Sequence, residues 1–460
     1  MTTQEILSEQ RNYFKSGATL PPPIRRQALC KLRDAIRSHQ ADLCKALSQD
    51  LNKSDFEGYM TEIGMVLDEL NYMIHHMCRW ASIRFVPTPL AQFPARSAVI
   101  KEPYGVVLVM APWNYPFLLS MDPLIGAVAA GNCVILKPSA YAPATSALMA
   151  QLLAEVFPPQ WVTTVQGGRQ QNTELLDQHF DFIFFTGSVA VGKVVMEKAS
   201  RWLTPVILEL GGKSPVVVDE TADIPLAARR IAFGKLLNAG QTCVAPDYVL
   251  VKDSVRDQLV QELQRQFARM LGPDPLHAPD YVRIVNQKHF DRLTGLLEDA
   301  QILCGGKSRA CGSQGGWIEP TLVADTLKAA GAPMQEEIFG PILPIIPFRT
   351  LNQAVHFINE REKPLALYLF TKSMATRSVI TAQCSYGGGC INDTVIHLAT
   401  HHMGFGGVGA SGMGSYHGKR SFDAFTHEKS IVSKFCWLDL PMRYMPYKKH
   451  NERIIHWFMH

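Results

Sequence analysis

Over positions 1 to about 80, apolar residues recur at three- and four-residue spacing, the period of helices with one buried face. In PPPIRRQALCKLRDAIRSHQADLCKALSQDL the pattern opens on prolines, which pre-set a first helical turn, and segment 51–80 continues it. The period breaks at Phe85 to Pro94, a stretch holding Pro87, Pro89 and Pro94. SAVIKEPYG then reads as a strand or extended arm ending in a turn. From Gly105 the pattern changes to short, nearly continuous apolar runs bounded by turn residues, namely GVVLVMAP, NCVILKPS, WVTTVQGG, DFIFFTGS and PVILELGG. Buried parallel strands have this form. Between them, Pro116 to Ala130, closed by Gly131, and APATSALMAQLLAEVF read as helices. The pattern predicts an α/β chain with a parallel sheet covered by helices on both faces.

A second α/β region spans about 211 to 400, with SPVVVD and YVLVKD as strands and SVRDQLVQELQRQFARML and a stretch around Leu351 to Asn359 as helices. Its end is rich in glycine, in GGGCINDT and MGFGGVGASGMGSYHG, a composition suited to loops that approach a ligand or thread between subunits. No internal repeat of 20 to 50 residues is present.

Composition narrows the function classes. A chain of 460 residues exceeds what one core normally serves, so two or three domains are expected. A net charge of +4 with scattered Lys and Arg gives no electrostatic footprint for nucleic acid. Ten cysteines without a repeated C-x-x-C spacing point to a reducing compartment, and hence a cytoplasmic location, with no zinc site. His401 and His402 lack a third ligand placed by the sequence, so no metal is expected. The N-terminus has no signal-type apolar core, and no apolar stretch is long enough for an integral membrane segment. The tail from Cys436 to His460 mixes Trp437, Tyr444, Tyr447, Trp457 and Phe458 with Lys448, Lys449 and Arg453. A packed or subunit-contacting tail is expected there, with contact to a membrane surface as the alternative.

Most of the chemistry-bearing segments lie at predicted strand ends. GQTCVAPD sets Cys243 after Gly240, Gln241 and Thr242, either as a nucleophile or as an ordinary buried thiol. Upstream, ELGGKSP offers the Glu209 carboxylate at the C-terminal edge of a strand, where ligands collect in α/β proteins; the plain alternative is a solvated or salt-bridged carboxylate. A thiol and a general base together would suit acyl chemistry with water as acceptor. APWNYP supplies the Asn114 amide to a developing oxyanion. FTGSVAVG, with Gly187, Ser188 and Gly192, opens a helix that can turn N–H groups to a phosphate, although its spacing departs from the dinucleotide fingerprint. Lys137 in LKPS reaches ribose or phosphate, or is simply an exposed lysine.

Together APWNYPF, AAGNCVILKPS, FFTGS, ELGGKSP, GQTCVAPDY, WIEPT, EEIFGP and FGGVGASGMGSYHGKRSFDAFTHEKS strongly resemble the aldehyde dehydrogenase superfamily, from about residue 10 to 432. Within it the chain looks most like the short, class 3 branch. The resemblance implies an aldehyde dehydrogenase-like α/β fold with a Rossmann-like cofactor domain, an α/β catalytic domain and a small β oligomerisation arm. It implies a cofactor domain over 1–82 and 101–208, a catalytic domain over 209–410, an arm and linking segments over 83–100 and 411–435, and a tail over 436–460. It makes Cys243 the nucleophile, Glu209 the base for the deacylating water and Asn114, with the Cys243 N–H, the oxyanion holder. NAD or NADP, or both, would meet Trp113, Lys137, Ser139, Ala140, Gly187, Ser188, Leu210, Gly211, Glu337 and Phe339. A homodimer is implied, with a small-molecule aldehyde as the partner.

Two positions depart from the branch's usual strings. Ala140 stands in KPSA where a glutamate commonly faces the adenosine ribose; losing that carboxylate removes a conflict with a 2'-phosphate and opens use of NADP. Gly404 gives GFGG where PFGG is usual, which loosens the loop. The substrate tunnel is expected near Tyr115, Leu119, Thr242, Ile396, His397, His402 and Phe405, and its apolar share suggests medium-chain aliphatic or aromatic aldehydes. Competing readings are a coenzyme A-acylating enzyme, opposed by the retained Glu209, a thioesterase or esterase without hydride transfer, and a non-catalytic binding protein.

Overall fold

The computed structural model describes residues 2–329 and 331–458. The helical period of the first 80 residues folds as Thr3–Lys15, Pro22–Ser38, Gln40–Leu51, Asp55–Gly58 and Gly64–Trp80. Tyr59–Ile63, between the last two, winds as a wider π-turn. These helices pack their apolar stripes on Leu118–Ala130 and Pro143–Val156.

Two main sheets carry the chain. The first has six strands in the order Gly412–Met413, Val206–Leu210, Phe182–Gly187, Val106–Met110, Cys133–Lys137 and Val162–Thr164. All are parallel except the Gly412–Met413 edge. Val106–Met110 and Cys133–Lys137 are buried throughout, which is why they read as continuous rather than alternating apolar runs. The second sheet has seven strands in the order Gln301–Cys304, Thr321–Ala324, Ile342–Phe348, Tyr248–Lys252, Pro215–Val218, Ala366–Phe370 and Gly388–Ile391. Only Gln301–Cys304 runs antiparallel to its neighbour. Arg256–Leu271 and Leu351–Asn359 form the helices expected in this region.

The proline-broken stretch after residue 80 enters a separate antiparallel sheet, in which Ala95–Pro103 pairs with Arg84–Val86 on one side and with Thr426–Lys434 on the other. Beyond it the tail runs through Pro441–Arg443 into the helix Lys449–Phe458. Leu440, Met442 and Ile455 of the tail face Leu90, Phe93 and Val432 of the arm across an apolar groove of about 570 Å³. Among the described residues no helix is long and apolar enough to cross a membrane.

The expected boundary at 208/209 falls inside the strand Val206–Leu210, and Gly412–Met413, assigned in advance to the linking segments, completes the six-stranded sheet beside it. Backbone pairing accounts for both: Gly412 lies opposite Glu209, where a Cβ would come within 2.1 Å of the Leu208 carbonyl oxygen. Its φ of +135° also favours glycine.

Candidate active site

The loop bearing Cys243 starts where Ile224–Leu236 ends. Asn238 and Ala239 take left-handed conformations, at φ of 51° and 52°, followed by Gly240 at 73°. Two such non-glycine residues in succession cost on the order of 1–3 kcal/mol each, so the surroundings must hold them. The Asn238 N–H donates to Glu57 Oε1 at 2.8 Å, and its Nδ2 donates to the carbonyls of Asn114 at 2.8 Å and Gln241 at 3.0 Å. Gln241, fully buried, donates to the carbonyls of Asn238 and Arg283 and accepts from the Val285 N–H. At Gly240 a Cβ would lie 2.3 Å from the Gly340 carbonyl oxygen, so the nucleophile loop packs directly on the EEIFGP loop.

Cys243 itself is partly exposed at the end of this strapped turn. Desolvation by its surroundings pushes the thiol well above its ordinary value, and the Glu209 and Glu337 carboxylates push the same way. The backbone N–H groups of Cys243 and Val244 pull it back. Asn114 arrives from the end of Val106–Met110 and is buried; its Nδ2 donates to the Gln241 carbonyl at 3.1 Å. Next to it the Tyr115 hydroxyl lies 2.7 Å from Thr242 Oγ1. Asn114 and the loop that carries Cys243 are therefore fastened to each other.

Glu209 is neither solvated nor salt-bridged. It is 1% exposed, and neither carboxylate oxygen has a hydrogen-bond partner. Burial, reinforced by the charge of Glu337, raises its carboxyl to about 8. Its neighbours in the sheet are Thr186 and Gly412, so a small polar side chain and a glycine flank it. The helix-side lysine Lys235 is also fully buried, its Nζ unpartnered and lowered to about 8 by burial.

Around Leu210, Gly211 and Gly212 a cleft of about 730 Å³ opens between the two main sheets. Val189, Gly192 and Lys193 line it from the helix Val189–Ser200, whose N-cap is Ser188, and Glu337 lines it from the opposite loop. Glu337 lies so close to Gly211 that a Cβ there would sit 2.2 Å from Oε2. Burial and the nearby Asp247 raise the Glu337 carboxyl to about 8. Its loop is pinned by Arg292, which donates to Glu336 Oε1 at 2.8 Å, and by Lys213, which donates to the carbonyls of Pro333 and Glu336. Phe339 in this loop holds a positive φ of 49° and meets Trp113 edge-on at 5.4 Å. Trp113 in turn touches His289, at 5.2 Å between ring centroids.

Lys137 is 3% exposed, which removes the reading of an exposed lysine. Its Nζ donates to the Pro138 carbonyl at 2.6 Å, and burial lowers it to about 8. Ser139 is half-buried and accepts from the Tyr141 N–H, whereas Ala140 and Ser188 are exposed. On the other side, Leu119 and Phe405 are buried, and Ile396 is mostly exposed. His397 packs near Phe405 and Tyr368, and the Tyr368 hydroxyl donates to the Val244 carbonyl just after the nucleophile. Gly404 is exposed and has no positive φ; a side chain there would press on Ser415 and Arg420. His401 is held between Asp68 at 2.8 Å and Glu69 at 3.0 Å. Among the described residues no group of three or more His, Cys, Asp or Glu side chains is placed to hold a metal ion.

Cys243, the buried Glu209 carboxyl and the Asn114 amide thus stand in one region of the α/β fold, next to a glycine-lined cleft where ligands bind in such folds. Comparison with known proteins places the chain accordingly. The sequence profile of the Aldehyde dehydrogenase family matches residues 2–431, and the chain belongs to that family, in its class 3-like branch. It is an aldehyde dehydrogenase. The chain is 47% identical over 442 residues to the 4,4'-diaponeurosporen-aldehyde dehydrogenase of Staphylococcus aureus, covering 96% of this chain and 95% of that one. It is 42% identical to the dimeric NADP-preferring aldehyde dehydrogenase of Canis lupus familiaris, covering 96% and 97%. The solved structure of the substrate-bound state of Staphylococcus aureus AldH superposes with a TM-score of 0.97 at 45% identity, covering all of both chains.

Several residues that shape the site carried no signal in the sequence. Asn238, Lys53, Glu62, Lys235 and His289 sit in stretches whose pattern is simply helical or turn-like. Their roles follow from contacts made across long sequence separations.

Proposed function

We propose that this enzyme oxidises a medium-chain aliphatic or aromatic aldehyde to the carboxylate through a thiohemiacetal and then a thioester on Cys243, with hydrolysis assisted by Glu209. The observation that carries this reading is the unpartnered, buried Glu209 carboxyl, close enough to the partly exposed Cys243 thiol that a charge on it would raise that thiol. An unpaired buried acid costs stability and marks a functional site.

Cys243, as the thiolate once its proton has left to solvent, attacks the aldehyde carbon through Sγ, and the second N–H of Asn114 Nδ2, with the Cys243 backbone N–H, receives the developing oxyanion. NAD(P), when bound, supplies the hydride acceptor. Its residues fit: the cleft along Gly211 ends at Glu337, Lys137 stands at the neighbouring strand end, and Ser188 caps the helix that faces a phosphate. Trp113, Ser139, Ala140, Gly187, Leu210 and Phe339 complete that surface. Glu209 then takes a proton from water, and the hydroxide oxygen cleaves the thioester. With its carboxyl near 8, Glu209 holds a proton in the resting site and becomes the base as pH rises.

Tyr115, Leu119, Thr242, Ile396, His397 and Phe405 line the aldehyde's approach in this reading. Ala140 places no carboxylate against a 2'-phosphate, and a relative named NADP-preferring supports use of NADP as well as NAD. A cytoplasmic homodimer is the assembly and location in keeping with this site and with the relative named dimeric. The test is the initial rate of reduced-cofactor formation with NAD and NADP in parallel. The panel takes short aliphatic, medium-chain, long polyene and aromatic aldehydes, with Cys243→Ala as blank. Turnover lost in the variant and greatest with medium-chain or aromatic aldehydes is expected. Turnover only on adding coenzyme A, or ester cleavage without cofactor reduction, would overturn it.

A further inference from the structure

We infer that Lys53 and Glu62 are positioning residues for the oxyanion donor, a buried ion pair that fixes the 113–118 turn relative to Cys243. The inference rests on the assignment of Asn114 made above. Lys53 and Glu62 are 1% and 0% exposed, and their side chains meet at 2.5 Å. Each then reaches the turn. Lys53 Nζ donates to the Asn114 carbonyl at 3.2 Å and stands 4.0 Å from the centroid of the Tyr115 ring. Glu62 Oε2 accepts from the N–H groups of Phe117 at 2.8 Å and Leu118 at 3.3 Å, at the start of the helix Leu118–Ala130. One pair therefore grips the turn at both ends, and its ammonium packs under the ring whose hydroxyl meets Thr242, next to the nucleophile.

Stability alone does not account for this pair. Taking two charges fully out of water costs several kcal/mol per ion, and well-packed apolar replacements are often as stable or more so. What an apolar pair cannot supply is direction: a donor aimed at one carbonyl and an acceptor shared by two consecutive N–H groups. Glu62 also lies within the π-turn Tyr59–Ile63, a rare winding that recurs at functional sites. The beneficiary is the Asn114 amide. It spends one N–H on the Gln241 carbonyl and keeps its second for the substrate oxygen. A shift of about 1 Å in such a group is worth on the order of 10²-fold in rate.

The test is a cycle of variants read by the pre-steady-state burst of reduced cofactor, which reports formation and collapse of the thiohemiacetal. Cofactor affinity and thermal midpoint are measured alongside. Glu62→Gln is expected to slow the burst by about 30- to 100-fold in the otherwise native enzyme, with cofactor affinity unchanged. In an Asn114→Ala background the same substitution is expected to change the burst less than about threefold, because the group it positions is already gone. The double variant Lys53→Met/Glu62→Gln removes both charges of the pair, leaving Glu57 its bond from the Asn238 N–H, and carries the same comparison where a single variant does not fold; it is expected to keep a slow burst although its thermal midpoint rises above that of the single variants. A full additive loss in the Asn114→Ala background, or a double variant that regains both midpoint and burst, would reduce the pair to a structural one. An Asn114→Ala enzyme with a native burst would instead overturn the oxyanion assignment itself.

Discussion

Two polar regions lie side by side in this enzyme and are built by opposite rules. Behind Cys243, Lys53, Glu62, Asn238 and Gln241 are buried and hydrogen-bonded, several across segments more than 50 residues apart, with Asn238 Oδ1 alone left bare among them. In front of it, Glu209 and Lys235 are as deeply buried but have no hydrogen-bond partner for their charged atoms. An unsatisfied buried polar group costs about 1–3 kcal/mol, so the bonds of the first region help to hold the turn in place. Among the described residues, bare buried polar atoms also occur far from this region, at Gln10, Asp122 and Gln266 for example, but Glu209 is the carboxylate with both oxygens bare.

The contrast can be broken from either side. Cys243→Ala should produce the largest change, a loss of about 10⁴-fold or more in reduced-cofactor formation, with thermal stability close to native. Glu209→Gln should lower steady-state turnover by about 10³-fold while sparing the burst, because the base is needed only to cleave the thioester. A variant that loses burst and turnover equally would place Glu209 in the first half-reaction instead. Below that in size comes Gln241→Ala, which strands the Val285 N–H and frees the nucleophile turn. It should cost about 2 kcal/mol in chemical unfolding and roughly tenfold in turnover. Smallest is Ala140→Glu, expected to move the NADP-to-NAD ratio of kcat/KM about fivefold toward NAD, the effect of one like charge about 4 Å away in water.

Glu209 also couples activity to pH and stability. Its carboxyl lies near 8 in the folded chain, against an ordinary value of 4.5. The folded state therefore binds a proton that the unfolded chain has released. That contribution is fully present below about 4.5 and is lost as pH rises through 8. Relative to the native enzyme, Glu209→Gln should gain stability between pH 5 and 8, on the order of 3 kcal/mol, in chemical unfolding at the two pH values. Turnover of the native enzyme should rise over the same upper range. No pH dependence in the stability difference would show that the buried acid is already ionised.

Much of this was legible from the chain alone. The continuous apolar runs Val106–Met110 and Cys133–Lys137, with their bounding turn residues, announced buried parallel strands. The proline-broken segment before Ala95 announced the departure into a separate arm. Cys243, Glu209 and Asn114 could be singled out as candidates because each falls in a distinctive motif, the last two after strands. What stayed hidden depended on distance in space. Glu62 is one carboxylate in an amphipathic helical stretch, and nothing nearby in sequence distinguishes it from Glu69. Only packing brings it to Phe117, 55 residues on.

The short edge strand Gly412–Met413 shows the same limit. Its glycines suggested a loop, yet pairing with Leu208 and Glu209 makes it the edge of the six-stranded sheet, at a spot where a Cβ on Gly412 would collide with the Leu208 carbonyl. By itself the sequence determined which elements form and which residue types stand at their ends, because periodicity and turn chemistry are local. Tertiary structure decided which of those groups are paired and which are left unpaired. Desolvation and hydrogen-bond satisfaction are properties of surroundings that the chain assembles only on folding.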